Sequence, residues 1–344
     1  MAVTDLEMID AWKQVLQLSK LQPGQALSIL TDPDTNLQTL KTAIIAAQSL
    51  GASVTRIDLP PHNGAVSLSP DKTAFVGETA LTGNKAALAA LKSSDIVLDL
   101  MLLLFSPEQG EILKEGAKIL LAVEPPEVLL RMLPTVADRE AVVAAARLLE
   151  RAKTMRVTSG AGTDIELPLG DYPILQEYGF VDEPGRWDHW PSGFVATWPK
   201  DDKSQGRIVL DRGDIWTPRL DFVSSPIELT VKDGYVTRID GGLDAELLRE
   251  YIATFSDPDA YAISHVGWGL QKRAQWTALA MYNRQSTMGM DARSFAGNFL
   301  FSLGPNNEVG GRNNSHCHID IPMRKCTVAL DGVEVVKAGN LVDR

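Results

Sequence analysis

Between residues 5 and 152 the apolar positions alternate between a helical and a strand period. Over 5–19 they are spaced as on one face of a helix, and 26–30 is a short apolar run closed by Thr31, Asp32 and Pro33, which predicts a strand and its turn. A second amphipathic helix is predicted over 37–50, with Gly51 at the favoured position beyond its C-terminus, and a second strand over 53–59. After a Pro/His/Asn/Gly loop that contains His62, helices are predicted over 79–91, 108–114 and 139–152, and strands over 95–100 and 118–123. This order fits a parallel sheet covered by helices, so residues 1–153 are read as an N-terminal α/β scaffold domain. No G-x-G-x-x-G or G-x-x-x-x-G-K-[ST] element follows any of these strands, which removes the common dinucleotide and nucleotide fingerprints.

From Met155 the pattern changes to short alternating segments, as in 207–211, 227–231 and 235–239, separated by Gly, Pro, Asp and Asn. Asp233-Gly234 and Asp331-Gly332 lie between alternating apolar residues and predict tight hairpins. One helix, 244–255, interrupts the strands, with Asp244 placed as its N-cap. Residues 154–344 are therefore read as a strand-rich, mixed α+β domain. The expected fold is a two-domain α/β chain with a substrate cleft between its halves.

Composition narrows the function. A length of 344 residues suits two domains, and with 44% hydrophobic and 22% charged residues the chain reads as an ordinary globular protein. No apolar run reaches the roughly 18 residues of a membrane span, and Asp5, Glu7 and Asp10 stand where a signal peptide needs a basic start, so no membrane association and a cytoplasmic location are expected. A net charge of −11 without a dense basic patch argues against nucleic acid and for small-molecule partners. Cys317 and Cys326 are the only cysteines, too few for a disulfide framework or a Cys-rich zinc site. Any metal must be held by His and carboxylates.

The most specific local signal is His316-Cys317-His318-Ile319-Asp320, within NNSHCHIDIPM. On a strand, period-two alternation would point His316, His318 and Asp320 to one face and Cys317, Ile319 and Ile321 to the other. Such a run plus a remote third ligand can offer two imidazoles and a carboxylate to one side of an octahedral ion, with the remaining positions open. His265, in Ser264-His265-Val266-Gly267-Trp268-Gly269, is the expected remote ligand; residues 260–263 before it read as a strand end, and the glycines allow close backbone approach. Glu177 and His189 lie in a Trp-rich loop region that includes GRWDHWPSGFVATW, whose aromatics could line a flat slot for a ring. Either could act as acid or base, and Asp188 is expected to raise the pKa of His189 into the working range. Leu104 and Phe105 follow the strand over 95–100, at the end where open α/β sheets bind ligands, and are expected to wall the slot.

The segments ISHVGWG, FSLGPNNEVGGRNNSHCHID, PILQEYGF and RWDHWPSG together resemble the 2,5-dihydroxypyridine 5,6-dioxygenase family of nicotinate and nicotine breakdown, and the likeness runs essentially end to end. The resemblance implies Fe(II) held by His265, His318 and Asp320. It also implies 2,5-dihydroxypyridine and dioxygen as substrates, N-formylmaleamate as product, and a homo-oligomer. It selects His318 over His316, which is then expected beside the ligands or in the substrate pocket. More broadly, the two-domain pattern and PIELTVKDGYVTRIDGG resemble leucyl aminopeptidase T-like enzymes, whose two-metal sites carry additional Glu and Tyr ligands. A metal-dependent aminopeptidase or amidase is therefore the alternative reading, set back because the resemblance places His265 in a region where those enzymes carry Glu.

Overall fold

The computed structural model describes residues 3–60 and 77–342; His62 lies outside the described residues. The first half follows its apolar pattern closely. It runs α1 (Asp5–Leu18), β1 (Ala26–Thr31), α2 (Leu37–Ser49), β2 (Ser53–Asp58), α3 (Lys85–Lys92), β3 (Ile96–Asp99), α4 (Pro107–Lys114), β4 (Lys118–Leu121), α5 (Pro126–Arg131) and α6 (Val136–Arg151). Thr4 with Glu7 and Thr135 with Asp138 form reciprocal capping boxes that satisfy the first amides of α1 and α6. The third helix starts at Lys85, capped by Asn84, rather than at residue 79. The short α5, opened by Pro126, has no periodicity long enough to have been anticipated.

The second half contains β5 (Thr154–Ser159), β6 (Asp164–Pro168), β7 (Ile174–Glu177), β8 (Trp187–His189), β9 (Phe194–Thr197), β10 (Gln205–Leu210), β11 (Ile215–Trp216) and β12 (Asp221–Phe222). It continues with β13 (Ile227–Lys232), β14 (Tyr235–Gly241), α7 (Leu243–Ala253), β15 (Ile263–Gly269), α8 (Met290–Arg293) and β16 (Phe299–Leu303). It ends with β17 (Ile319–Met323), β18 (Cys326–Leu330), β19 (Val333–Lys337) and β20 (Asn340–Leu341). Both Asp-Gly pairs make the expected two-residue hairpins, with positive φ at all four residues. Asp244 does not cap α7, whose N-cap is Gly242. Its carboxylate instead accepts hydrogen bonds from Ser224 and Ser225 and pairs with Arg219.

Three larger sheets result. The first is parallel, in the order β2-β1-β3-β4-β8, so its last strand comes from beyond residue 153, where the apolar pattern changes. The second is antiparallel with eight strands, β14-β13-β10-β6-β5-β18-β19-β20, and the third is antiparallel, β17-β16-β15-β9-β7. The largest apolar core lies between the second and third sheets: Met155, Val157, Ile208 and Leu229 meet Val266, Phe301 and Ile321. The opposite face of the third sheet turns to the N-terminal half, where Phe194, Ala196 and Leu300 pack with Leu102, Leu104 and Leu121. Among the described residues no helix is long and apolar enough to cross a membrane.

Alternation on β16 and β17 sends Phe301, Leu303, Ile319 and Ile321 into the large core, while Ser302 and Asp320, paired in register, face the other way. The strand begins at Ile319, so His316 and His318 precede it and the expected alternation does not extend back to His316. His265 likewise lies inside β15 and not after a strand end; residues Pro258–Tyr261 form a 3₁₀ turn. The chain that brings in His318 passes directly over Gly304, where a Cβ would stand 1.9 Å from the carbonyl oxygen of Cys317, and φ is +120°. Gly304→Ala is therefore expected to cost at least about 2 kcal/mol and to displace His318. A lowered melting temperature with weakened metal uptake would bear this out; a variant that melts like the native chain would contradict it.

Candidate metal centre

His265 on β15, Ser302 on β16 and Asp320 on β17 lie in one row across the third sheet, because a register shift between Ile263 and Val266 brings His265 opposite Ser302. The backbone N–H of His265 donates to Ser302 Oγ at 2.9 Å. Ser302 is buried and small, so the two larger side chains reach over it toward each other. Thr217 holds the Asp320 backbone on both sides, donating its N–H to the Asp320 carbonyl and accepting the Asp320 N–H at its hydroxyl, each at 2.9 Å.

His318 joins them from just before β17. Its Nε2 is 3.3 Å from His265 Nε2 and 3.6 Å from Asp320 Oδ1, while His265 Nε2 is 3.0 Å from Asp320 Oδ1. All three residues are buried. Although Oδ1 is this close to His265, the alignment is not that of a hydrogen bond, and Oδ1 has no hydrogen-bond partner among the described residues. Two ring nitrogens and a carboxylate oxygen that face one another repel unless a proton or a cation lies among them. The donors fit a borderline or hard divalent ion held on one side, and among the described residues this is the one cluster of three such groups within reach of a single ion.

The second oxygen of Asp320 is occupied. Arg293, the last residue of α8, places Nε 2.8 Å from Oδ2, and both side chains are buried. Burial by itself would push the Asp320 carboxyl up. The positive fields of His318, Arg293 and His265 outweigh it and hold the carboxyl far below its usual range. Arg293 was not anticipated from the sequence; the only sign of it is a cation set among small and apolar residues in MGMDARSFAGNFLF. Trp198 also escaped notice as an individual residue, and its ring meets that of His265 edge-on, with centroids 6.1 Å apart.

Phe105 stands with its ring edge-on to His318, centroids 5.5 Å apart. It is delivered there by the buried carboxylate of Asp99, which accepts the N–H groups of Met101, Leu102 and Leu103 at 2.7–3.0 Å and so curls the chain after β3. Leu104 is buried beside it, in the apolar cluster with Leu102, Phe194, Met288 and Leu300. Leu102 and Met288 also line a cleft of about 690 Å³ at the carboxyl ends of β1, β3 and β4, where the strand order reverses. His316 is exposed, lies against Gly77 and is not one of the clustered donors.

Glu177 and His189 are both buried. Burial, reinforced by the negative charges of Asp188 and Asp320, raises the Glu177 carboxyl well above its ordinary range, against the opposing hydrogen bond from Ser192 Oγ at 2.8 Å. The expectation that Asp188 raises the pKa of His189 does not hold. Asp188 lies on the other side of β8 and accepts the N–H groups of Tyr178, Gly179 and His189 while pairing with Arg186. Burial, with Arg293 adding to it, pushes His189 down to about 3, so its imidazole is neutral. The Trp-rich stretch is not an exposed slot either. Trp190 is fully buried, packed edge-on against Trp12 and hydrogen-bonded to the Leu129 carbonyl.

The chain is similar to known proteins. A family model described as NicX: 2,5-dihydroxypyridine 5,6-dioxygenase matches residues 7–343. The chain is 50% identical over 342 residues to the 2,5-dihydroxypyridine 5,6-dioxygenase of Pseudomonas putida KT2440, covering 99% of this chain and 98% of that protein. The solved structure of the 2,5-dihydroxypyridine dioxygenase from that organism superposes with a TM-score of 0.97, covering 100% of this chain and 99% of that one at 50% identity. Wild-type AmpT from Thermus thermophilus superposes with a TM-score of 0.64 at 15% identity, over 98% of this chain and 99% of that one, which shows a shared aminopeptidase T-like fold. From its own residues and from these likenesses, the chain belongs to the 2,5-dihydroxypyridine 5,6-dioxygenase family.

Proposed function

We propose that the chain is a ring-cleaving dioxygenase that opens 2,5-dihydroxypyridine between C5 and C6, at one Fe(II) held by Nε2 of His265, Nε2 of His318 and Oδ1 of Asp320. The observation that carries the metal reading is the convergence of these three buried donors with Oδ1 left without a hydrogen bond. A two-histidine, one-carboxylate ion bound there would supply redox chemistry and open positions for substrate and dioxygen. Cleavage with both oxygen atoms retained turns the hydroxyl-bearing C5 into a carboxyl and C6 into a formyl group on nitrogen, which is N-formylmaleamate. Among the described residues the clustered donors suit one ion rather than a bridged pair, which favours this reading over two-metal hydrolysis.

The chain's own groups account for the rest. Phe105 and Trp198 cover the two imidazoles, and the apolar cluster of Leu102, Leu104, Phe194 and Met288 keeps water from the reacting ring. Glu177 enters the reaction as a neutral acid beside Ser192; as one carboxyl oxygen takes the substrate hydroxyl proton, the other gives its own to the opening ring, so the group stays neutral throughout. His189 is the neutral partner. Its buried Nε2, without a hydrogen bond among the described residues, accepts one from the substrate and orients it.

Protein loaded anaerobically with Fe(II) is expected to consume dioxygen when given 2,5-dihydroxypyridine, and with labelled dioxygen to place both labelled atoms in the product. Turnover without dioxygen, or with zinc in place of iron, would overturn the reading. His265→Ala, His318→Ala and Asp320→Ala should lose metal and activity together, whereas Glu177→Gln should keep iron while kcat falls by roughly 10²- to 10⁴-fold.

The neutral state of His189 has a thermodynamic consequence. Between its ordinary 6.5 and about 3, the unfolded chain binds a proton at this imidazole that the folded chain does not, so each step down in pH favours unfolding. This contribution is complete above pH 6.5 and lost as pH falls through the window, by an amount on the order of a few kcal/mol. Denaturant titrations of native protein and His189→Asn from pH 7 to pH 4 should show a shallower pH slope for the variant. Identical slopes would mean that the imidazole charges freely in the folded state.

A further inference from the structure

Arg293 reaches Asp320 from α8, which has a single turn and cannot fix its own orientation. The groups that fix it come mainly from the N-terminal half. Arg131, the last residue of α5, donates from Nη1 to Asp291 Oδ1 and from Nη2 to Asp291 Oδ2, at 2.7 Å each, and Asp291 Oδ1 also accepts the N–H of Gln275 at 2.6 Å. Glu124, just beyond β4, accepts the N–H groups of Met288 and Met290 at Oε1, at 3.1 and 3.0 Å, and the hydroxyl of Thr287 at Oε2, at 2.5 Å. Asn298 closes the other end, donating to the carbonyls of Ala292 and Arg293 at 2.6 and 2.9 Å. Glu124 and Asp291 are each 1% exposed, so these bonds are made away from competing water.

Apolar packing of Met288 and Met290 would hold the turn near the site, but such contacts are non-directional and leave it free to rotate about its axis. A two-pronged guanidinium–carboxylate pair and a carboxylate bridging successive amides do set rotation. Rotation matters because Arg293 occupies one oxygen of Asp320 and leaves the other to the cluster. Were Oδ2 released, the carboxylate could turn both oxygens to an ion and take a position that substrate or dioxygen needs.

We propose that Glu124 and Arg131 are positioning residues for the metal centre, a strut from the N-terminal half that holds Arg293 on Oδ2 of Asp320 and so keeps Asp320 a one-oxygen ligand. This rests on the metal reading of His265, His318 and Asp320. Co(II), followed by its visible absorption under anaerobic conditions, reports ligand geometry without turnover. Arg131→Met is expected to weaken Co(II) binding by about 10-fold or more and to shift the band, the scale typical of groups that orient metal ligands. Arg131→Lys, with charge but one prong, should fall between the two. In an Arg293→Met background, adding Arg131→Met should cost no further Co(II) affinity, while its effect on the melting temperature should be the same in both backgrounds. Should Arg293→Met fail to fold, Arg293→Lys serves in its place. Native Co(II) affinity and band in a folded Arg131→Met, or equal affinity losses in both backgrounds, would overturn the strut. His318→Ala binding Co(II) as tightly as the native chain would instead remove the metal reading, and the proposal with it.

Discussion

The buried pair of Asp320 and Arg293 is the constraint on which the site depends. A carboxylate this far from water stays ionised only where positive charge and donors replace its hydration, and here Arg293 and two imidazoles do so together. Arg293 ion-pairs with one oxygen, which leaves the other on the side of the histidines. Breaking such a pair from one side exposes an unmatched buried charge and typically costs about 3–5 kcal/mol. The same contact therefore serves stability and the shape of the donor set.

From this pair the architecture can be followed outward. The third sheet supplies the row His265, Ser302, Asp320, with a small residue in the middle so that the outer two can meet. Its other face is committed to the large core, which fixes which residues of β16 and β17 look toward the site. Among the described residues the N-terminal half contributes no donor to the cluster, yet it shapes part of the surroundings. Asp99 curls the chain that carries Leu104 and Phe105, and Glu124 and Arg131 hold the turn that carries Arg293. The parallel sheet is a scaffold whose strand ends set the walls of the centre.

Much of this was legible before any coordinates. The 3.6-residue and two-residue periods located most elements of the parallel sheet and both Asp-Gly hairpins, and the HxHxD run with His265 offered the donors, among which the family resemblance selected His318 over His316. What escaped depends on contacts that no local pattern encodes. His316 looked equivalent to His318 only if a strand extended through both, and the strand starts three residues later than His316. Asp188 beside His189 suggested a charge pair, but neighbours on a strand point to opposite faces, and the carboxylate is consumed by backbone amides. Asp244 looked like a helix cap and is a buried ion-pair partner. Arg293 and Glu124 carry no motif, because their roles exist only once distant segments pack.

The most direct test of the account is the anomalous scattering of iron in crystals of the chain grown and loaded with Fe(II) without oxygen. The account predicts a single iron peak per chain, bonded to Nε2 of His265, Nε2 of His318 and Oδ1 of Asp320, with Arg293 still on Oδ2. Two peaks bridged by a shared carboxylate, a peak bound by His316 in place of His318, or an Asp320 that turns both oxygens to the ion would contradict it.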